Sequence, residues 1–90
     1  MDQRTPKVGP FGQAVAAAIR SAAAERRITQ KEVAAKTGIP ERSLVRYWNA
    51  QSRIDIESLV EIASAIGVQA EDIVEAARVI SNRAENNAGR

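Results

Sequence analysis

Cysteine and histidine are both absent from this chain, and phenylalanine, tyrosine and tryptophan each occur once. Without thiols and imidazoles there is no disulfide, no thiolate nucleophile, no zinc finger and no histidine acid–base chemistry. The five glycines are scattered, so none of them belongs to a phosphate-cradling loop. We therefore expect a protein that is not an enzyme and that uses no metal, no cofactor and no small-molecule substrate.

Long apolar runs are also missing. No segment approaches the roughly 18 consecutive apolar residues of a membrane-spanning helix, and the first residues lead into no apolar core of the signal-peptide kind. The sequence thus predicts a cytoplasmic protein without a membrane segment. Ninety residues can bury one modest core of four or five helices, so function is expected on the surface of a single domain.

Charge is distributed unevenly along the chain. Residues 1–53 carry ten Lys/Arg against four Asp/Glu, whereas residues 54–90 carry three against seven. A basic half backed by an acidic half is typical of a protein that presents one face to nucleic-acid phosphates. The glutamates of the second half recur at helical spacing, which is most simply a solvated acidic face.

Apolar residues recur at helical spacing, and no segment alternates as a strand would. We predict a first helix over residues 11–26, a fourth over 56–66 that ends at Gly67, and a fifth over 70–80. Residues 1–10 are predicted to form an irregular arm and residues 81–90 a polar tail that frays. Four helix starts are marked by apolar pairs five residues apart, the spacing of a hydrophobic staple: Ile28 and Val33, Ile39 and Leu44, Ile54 and Leu59, Val68 and Ile73.

The residues that follow the first member of each pair are the expected N-caps. Thr29 with Glu32 has the pattern of a capping box, and Asp55 is a strong cap acceptor. Pro40 and Gln69 are poor caps. Pro40 nevertheless keeps the preceding residue extended, as a tight turn between two helices requires.

Residues 29–48 have the pattern of two short helices joined by a tight turn. The small side chain of Ala34 lets the two helices cross closely, and Gly38 can take the left-handed geometry that ends a helix. Leu44 and Tyr47, three residues apart, share the inward face of the second helix. This helix carries arginines on its other face.

With the segment that follows, this pattern resembles the helix-turn-helix domain of the phage Cro/repressor-type (Xre-like) family. The matching residues are Gln30, Glu32, Ala34, Gly38, Ile39, Leu44, Arg46, Tyr47, Leu59, Ile62, Ala63, Ile66, Gly67 and Val68. The resemblance covers residues 19–73. It implies a compact five-helix, lambda-repressor-like all-α fold and a transcriptional regulator, of the phage or prophage repressor kind, that binds double-stranded operator DNA, commonly as a dimer.

The chain departs from the family at two places. Where many members carry an acidic residue paired with a basic residue of the first helix, this chain has Trp48 and Ala23. We hypothesise that an indole packed over alanine replaces the ion pair, an exchange that leaves no charge to desolvate. The usual glycine after the second helix of the motif is replaced by Asn49-Ala50, which leaves the shape of that loop open.

The outward face of the second helix holds the candidate base-contacting residues. They are Glu41, Arg42, Val45 and Arg46. Each arginine can bind the O6 and N7 atoms of guanine with two hydrogen bonds, the glutamate can accept from cytosine N4, and the valine can touch a thymine methyl. Glu41 has the alternative role of favouring the helix dipole.

Other residues are expected to contact phosphates, which sets register without reading sequence. Gln30 matches the family position that binds a phosphate at a helix N-terminus, where free N–H groups add to the anion site. The remaining candidates are Lys31, Ser43, Asn49, Gln51, Ser52 and Arg53. Arg20 and Lys36 are expected to be solvated charges. Arg4 and Lys7 are expected in a disordered tail, with a minor-groove contact as the alternative.

A second hypothesis treats the domain as a protein-interaction module, antitoxin-like or an anti-repressor, that binds protein through the fifth helix. A pure protein binder has no need of Arg42 and Arg46 on an exposed face. If the chain forms a homodimer on DNA, helix 70–80 is the candidate surface, because Val74 and Val79 lie off its inward stripe.

Overall fold

Every helix contributes to one continuous core of small and branched aliphatic side chains. In this computed structural model, which describes residues 8–88, the helices are α1 (Pro10–Glu25), α2 (Gln30–Thr37), α3 (Glu41–Trp48), α4 (Ile56–Ile66) and α5 (Ala70–Ala88). The described range contains no strand. The predicted all-α fold is confirmed, whereas the predictions for Arg4 and Lys7 fall outside the described residues.

The core lies between α1 and α5, which pack together, and extends to α3 and α4, which both contact α1. α2 packs against α3 and α4. The buried members of the core are Ala14, Val15, Ala18, Ile19, Ala23, Val33, Ala34, Leu44, Trp48, Leu59, Ile62, Ala63, Ile66, Ile73 and Ala77. In α4 the spacing of Leu59, Ile62, Ala63 and Ile66 predicts one inward face, and all four residues are in the core. Phe11 shares its three- and four-residue spacing with the apolar residues Val15 and Ala18 of the first helix, but it is 37% exposed. The centroid of its ring lies 5.5 Å from the guanidinium carbon of Arg78.

The helix starts follow the predicted caps. Thr29 Oγ1 accepts from the backbone N–H of Glu32, whose carboxylate accepts from the N–H of Thr29, so the capping box is confirmed. Asp55 accepts from the backbone N–H of Ser58 at 2.7 Å. At the start of α5, Asp72 accepts from the backbone N–H of Gln69 at 3.1 Å. The carboxylate at the third position of the helix thus provides the reciprocal half of a capping box, although the glutamine side chain does not provide the other half.

The predicted end of the fifth helix at residue 80 is wrong, because α5 continues to Ala88. No glycine or proline interrupts the sequence before Gly89, so nothing in the backbone stops the helix. Ala84 and Glu85 also lie beside the start of α1, where they line a shared cavity of about 470 Å³ with Pro10 and neighbouring residues. Residues predicted as tail therefore lengthen the contact between α1 and α5, the most extensive helix pair in the fold.

Among residues 8–88, none of the five helices combines the length and the apolar composition that a membrane-spanning segment needs.

Candidate nucleic-acid interface

The turn between α2 and α3 is held by backbone geometry and one hydroxyl group. Gly38 has φ +79° and donates its N–H to the carbonyl of Ala34, which ends α2. The hydroxyl of Thr37 donates to the carbonyl of Val33 and accepts the N–H of Ile39. The chain then extends through Pro40, whose carbonyl accepts the first hydrogen bond of α3. These contacts fix the direction in which α3 leaves α2.

The two faces of α3 differ sharply in exposure. Leu44 is 1% exposed and Trp48 is 8% exposed, and both belong to the core that also contains Ala23. The hypothesis that an indole packs over alanine requires a buried indole, and Trp48 is buried. The four candidate base-contacting residues all lie on the exposed side of the helix: Glu41, Arg42, Val45 and Arg46. Their contact with DNA stays a prediction.

The N-terminus of α2 lies next to this exposed side. Gln30 and Lys31 line a cleft of about 360 Å³ together with Glu41, Leu44 and Val45. Within the described residues no hydrogen bond uses the backbone N–H of Gln30 or Lys31, because the capping box engages only Thr29 and Glu32. Two free N–H groups at a helix start are the ordinary components of an anion site. The fold thus brings a predicted phosphate contact beside the predicted base contacts.

The loop after α3 has a different arrangement. The N–H groups of Asn49, Ala50, Gln51 and Ser52 all donate to carbonyls of α3, with distances of 2.8–3.4 Å. These amides are therefore turned away from any phosphate. Contacts here must come from side chains, and those of Asn49, Gln51 and Arg53 are exposed, whereas Ser52 and also Ser43 on α3 are half-buried.

Ala50 occupies the place where the family usually has glycine. Its φ is +58°, in the left-handed region, so the alanine adopts the conformation that glycine takes without strain. The loop therefore keeps a glycine-like path in the absence of glycine. The methyl group costs conformational energy and marks this loop as a strained point beside the reading helix.

Arg20 was expected to be a solvated charge; it is exposed, but its side chain also makes a hydrogen bond that was not predicted. Its Nη1 atom donates to the carbonyl oxygen of Trp48 at 2.7 Å, which links α1 to the last residue of α3. The sequence contained a usable signal, because Arg20 lies one helical turn before Ala23, the residue expected opposite Trp48. Lys36, the other residue assigned to solvent, is exposed.

Asp55 connects the far end of this loop to α3. Besides capping α4, its carboxylate accepts from the Ser58 hydroxyl at 3.0 Å and lies 3.4 Å from the hydroxyl of Tyr47. The hydrogen bonds from the backbone and side chain of Ser58 lower the pKa of the Asp55 carboxyl below 3.8, with partial opposition from desolvation and a smaller contribution from Tyr47.

We expect Ala50→Gly to stabilise the protein by about 0.5–1 kcal/mol, because relief of the left-handed strain exceeds the entropy that glycine adds to the unfolded chain. Urea unfolding followed by circular dichroism measures the change. Ala76→Gly, at an exposed helical position of α5, is the matched control and should destabilise. If both substitutions destabilise the protein equally, the claim that Ala50 is strained is wrong.

We expect Asp55→Asn to alter the dependence of stability on acid. Because the carboxyl has a lower pKa in the folded state, its stabilisation is present above pH 3.8 and is lost as the pH falls through the lowered value. Asparagine also caps helices but does not titrate. Urea midpoints measured from about pH 5 to pH 2 should therefore converge or cross for the two proteins. Parallel profiles would count against this role.

Comparisons with known proteins agree with this geometry. The sequence pattern of the Cro/C1-type HTH DNA-binding domain matches residues 18–77, about two-thirds of the chain. The fold is similar to the crystal structure of the clp gene regulator ClgR from C. glutamicum, with 24% identity and a TM-score of 0.71 over 76% of this chain and 88% of that one. A search of curated proteins finds no match. The family match includes all of α2, α3 and α4, and the chain belongs to the Cro/C1-type helix-turn-helix DNA-binding domains.

Proposed function

We propose that this protein is a sequence-specific regulator of transcription, of the phage-repressor type, that reads the major groove of double-stranded DNA with α3. The observation that carries the proposal is the exposure of Arg42 and Arg46 on a helix whose opposite face is buried. An α-helix with its side chains is about 10–12 Å across, which fits the roughly 12 Å width of the major groove. Repression requires only that the bound domain occupy its operator.

We infer that the groups on either side of α3 bind phosphates and so set the position of the domain along the duplex. At one side, Gln30 and Lys31 offer two unpaired N–H groups at the start of α2, where the helix dipole favours a phosphate. At the other side the exposed side chains of Asn49, Gln51 and Arg53 follow α3. Phosphate contacts on both sides would hold α3 in the groove between them.

Sequence preference should depend on the two arginines. We expect Arg42→Ala and Arg46→Ala each to relax the preference at one or two base pairs, because each loses a bidentate contact worth roughly 1–3 kcal/mol. Selection of bound duplexes from a random pool, repeated with each variant, measures the effect. Gln30→Ala is the control and should weaken binding to all sequences nearly alike.

Two results would contradict the proposal. Unchanged sequence preference in both arginine variants would remove the assignment of α3 as the reading helix. Absence of any salt-sensitive binding to duplex DNA would instead favour the protein-interaction module, since phosphate contacts make affinity fall with salt.

We further propose that two copies bind together, through a surface that extends helix 70–80 onto α4. Ile56 is 74% exposed and Val60 is 51% exposed, one turn apart on α4. They line a groove of about 580 Å³, here called the α4–α5 groove, with Leu59, Ala70, Glu71, Val74, Glu75 and Arg78. Aliphatic side chains this exposed and this close together are typical of a contact surface. Val79 is also exposed but does not line the groove.

We expect Ile56→Asp to abolish pairing, because it places a charge in the groove, and to leave folding intact, because an acidic residue in the first turn of a helix is favourable. Sedimentation with and without DNA measures the oligomeric state. Val79→Asp is the matched control and should retain the dimer. If only Val79→Asp loses pairing, the interface lies on the outer face of α5 and not in the α4–α5 groove. If the unsubstituted protein is a monomer under all conditions, the proposed dimer is excluded.

A further inference from the structure

The C-terminal end of α3 has a complete set of hydrogen-bond donors for its last carbonyl groups. Asn49 donates to the carbonyl of Val45, and Ala50 donates to that of Tyr47. Gln51 and Ser52 donate to the carbonyl of Arg46. The last carbonyl, that of Trp48, accepts from the Arg20 side chain. Three of these carbonyls are satisfied by the loop that follows, and the fourth by a residue 28 positions earlier in the chain.

The Arg20 contact is a hydrogen bond from an exposed, charged side chain to a backbone carbonyl. A guanidinium donor and a distance of 2.7 Å define a short, charge-assisted hydrogen bond. A cation at the C-terminus of a helix also interacts favourably with the helix dipole. The backbone of Arg20 cannot shift easily, because Ile19 and Ala23 beside it on α1 are 1% and 2% exposed.

We propose that Arg20 is a positioning residue for sequence recognition, which fixes the tilt of α3 relative to the scaffold formed by α1 and α5. At its N-terminus α3 is joined to α2 by a short turn and has no side-chain cap. The Arg20 bond anchors the opposite end. This inference rests on the proposed function, because tilt matters only if α3 reads bases.

Small changes in tilt are large on the scale of base contacts. A tilt of about 5° moves the far end of a helix about 12 Å long by about 1 Å. Binding constellations need their groups within about 0.5 Å of the productive geometry. Loss of the anchor therefore reduces affinity for the correct sequence more than affinity for any other.

The test compares Arg20→Met, which keeps the length of the side chain without a donor, with Arg20→Lys, which keeps a cationic donor. Arg83→Met is the matched control, since it removes the same charge from an exposed position on α5. Each protein is titrated with the selected duplex and with a scrambled duplex over a range of salt concentrations. Thermal unfolding of each variant gives the folded fraction.

We expect Arg20→Met to lower the ratio of specific to non-specific affinity by about three- to tenfold, the effect of losing one hydrogen bond of modest strength. The salt dependence should equal that of Arg83→Met, and Arg20→Lys should recover part of the ratio. An unchanged ratio overturns the proposal. Equal loss on both duplexes, with a salt slope smaller by about 0.9, also overturns it and makes Arg20 a phosphate contact.

Amide hydrogen exchange separates this proposal from the proposed function. Without DNA, Arg20→Met should accelerate exchange of the last amides of α3, and Arg83→Met should not. If the unsubstituted chain fails to bind duplex DNA but the exchange changes as expected, the proposed function fails while the anchor stands. Unchanged exchange in Arg20→Met shows that the bond does not hold α3, and the positioning role is then wrong.

Discussion

Burial of the inner face of α3 is the interaction on which the interface depends. An eight-residue helix is too short to be stable by its own hydrogen bonds in water, so it must gain its stability from packing. Leu44 and Trp48 supply that packing by entering the common core. Because both side chains lie on one side of the helix, the same burial fixes which residues face outward. Folding and the orientation of Arg42 and Arg46 therefore have one cause.

Apolar burial stabilises the position of α3, and polar contacts define its orientation. Apolar contacts hold α3 against the core but do not define its tilt sharply, since side chains can slide over one another. Hydrogen bonds at the helix ends are directional. The hydroxyl of Thr37 sets the exit from α2, and Arg20 and Asp55 contact the far end of α3. The short helix α3 thus has polar contacts near both of its ends.

Local signals in the sequence were sufficient for most helix boundaries. The capping box at Thr29, the cap at Asp55 and the stop at Gly67 each depend on residues within one helical turn, so spacing alone identifies them. The predicted end of α5 was too early, because no glycine or proline stops the helix before Gly89 and because Ala84 and Glu85 lie beside the start of α1, far away in sequence. The residues after Ile80 are polar and were therefore predicted to be a tail, because the local sequence pattern carries no information about α1, which lies beside them.

The candidate site shows the same division. Exposure of the arginines on α3 followed from the positions of Leu44 and Tyr47, whereas the bond from Arg20 joins residues 28 apart. The left-handed conformation of Ala50 could not be read from its identity, because alanine rarely adopts it. Neither feature can be identified without the three-dimensional structure, although Arg20 lies one helical turn before Ala23, the residue expected opposite Trp48.

The loop that follows α3 has a further consequence. The main-chain amides of residues 49–52 donate to carbonyls of α3, while the side chains of Asn49, Gln51 and Arg53 are exposed. Under the proposed function, substitution of Asn49 or Gln51 would change the affinity for a duplex without disturbing the helix beside it. Affinity for DNA and preference for an operator sequence would then depend on different residues. Related proteins could change the affinity by point substitution in this loop while the sequence preference stays the same.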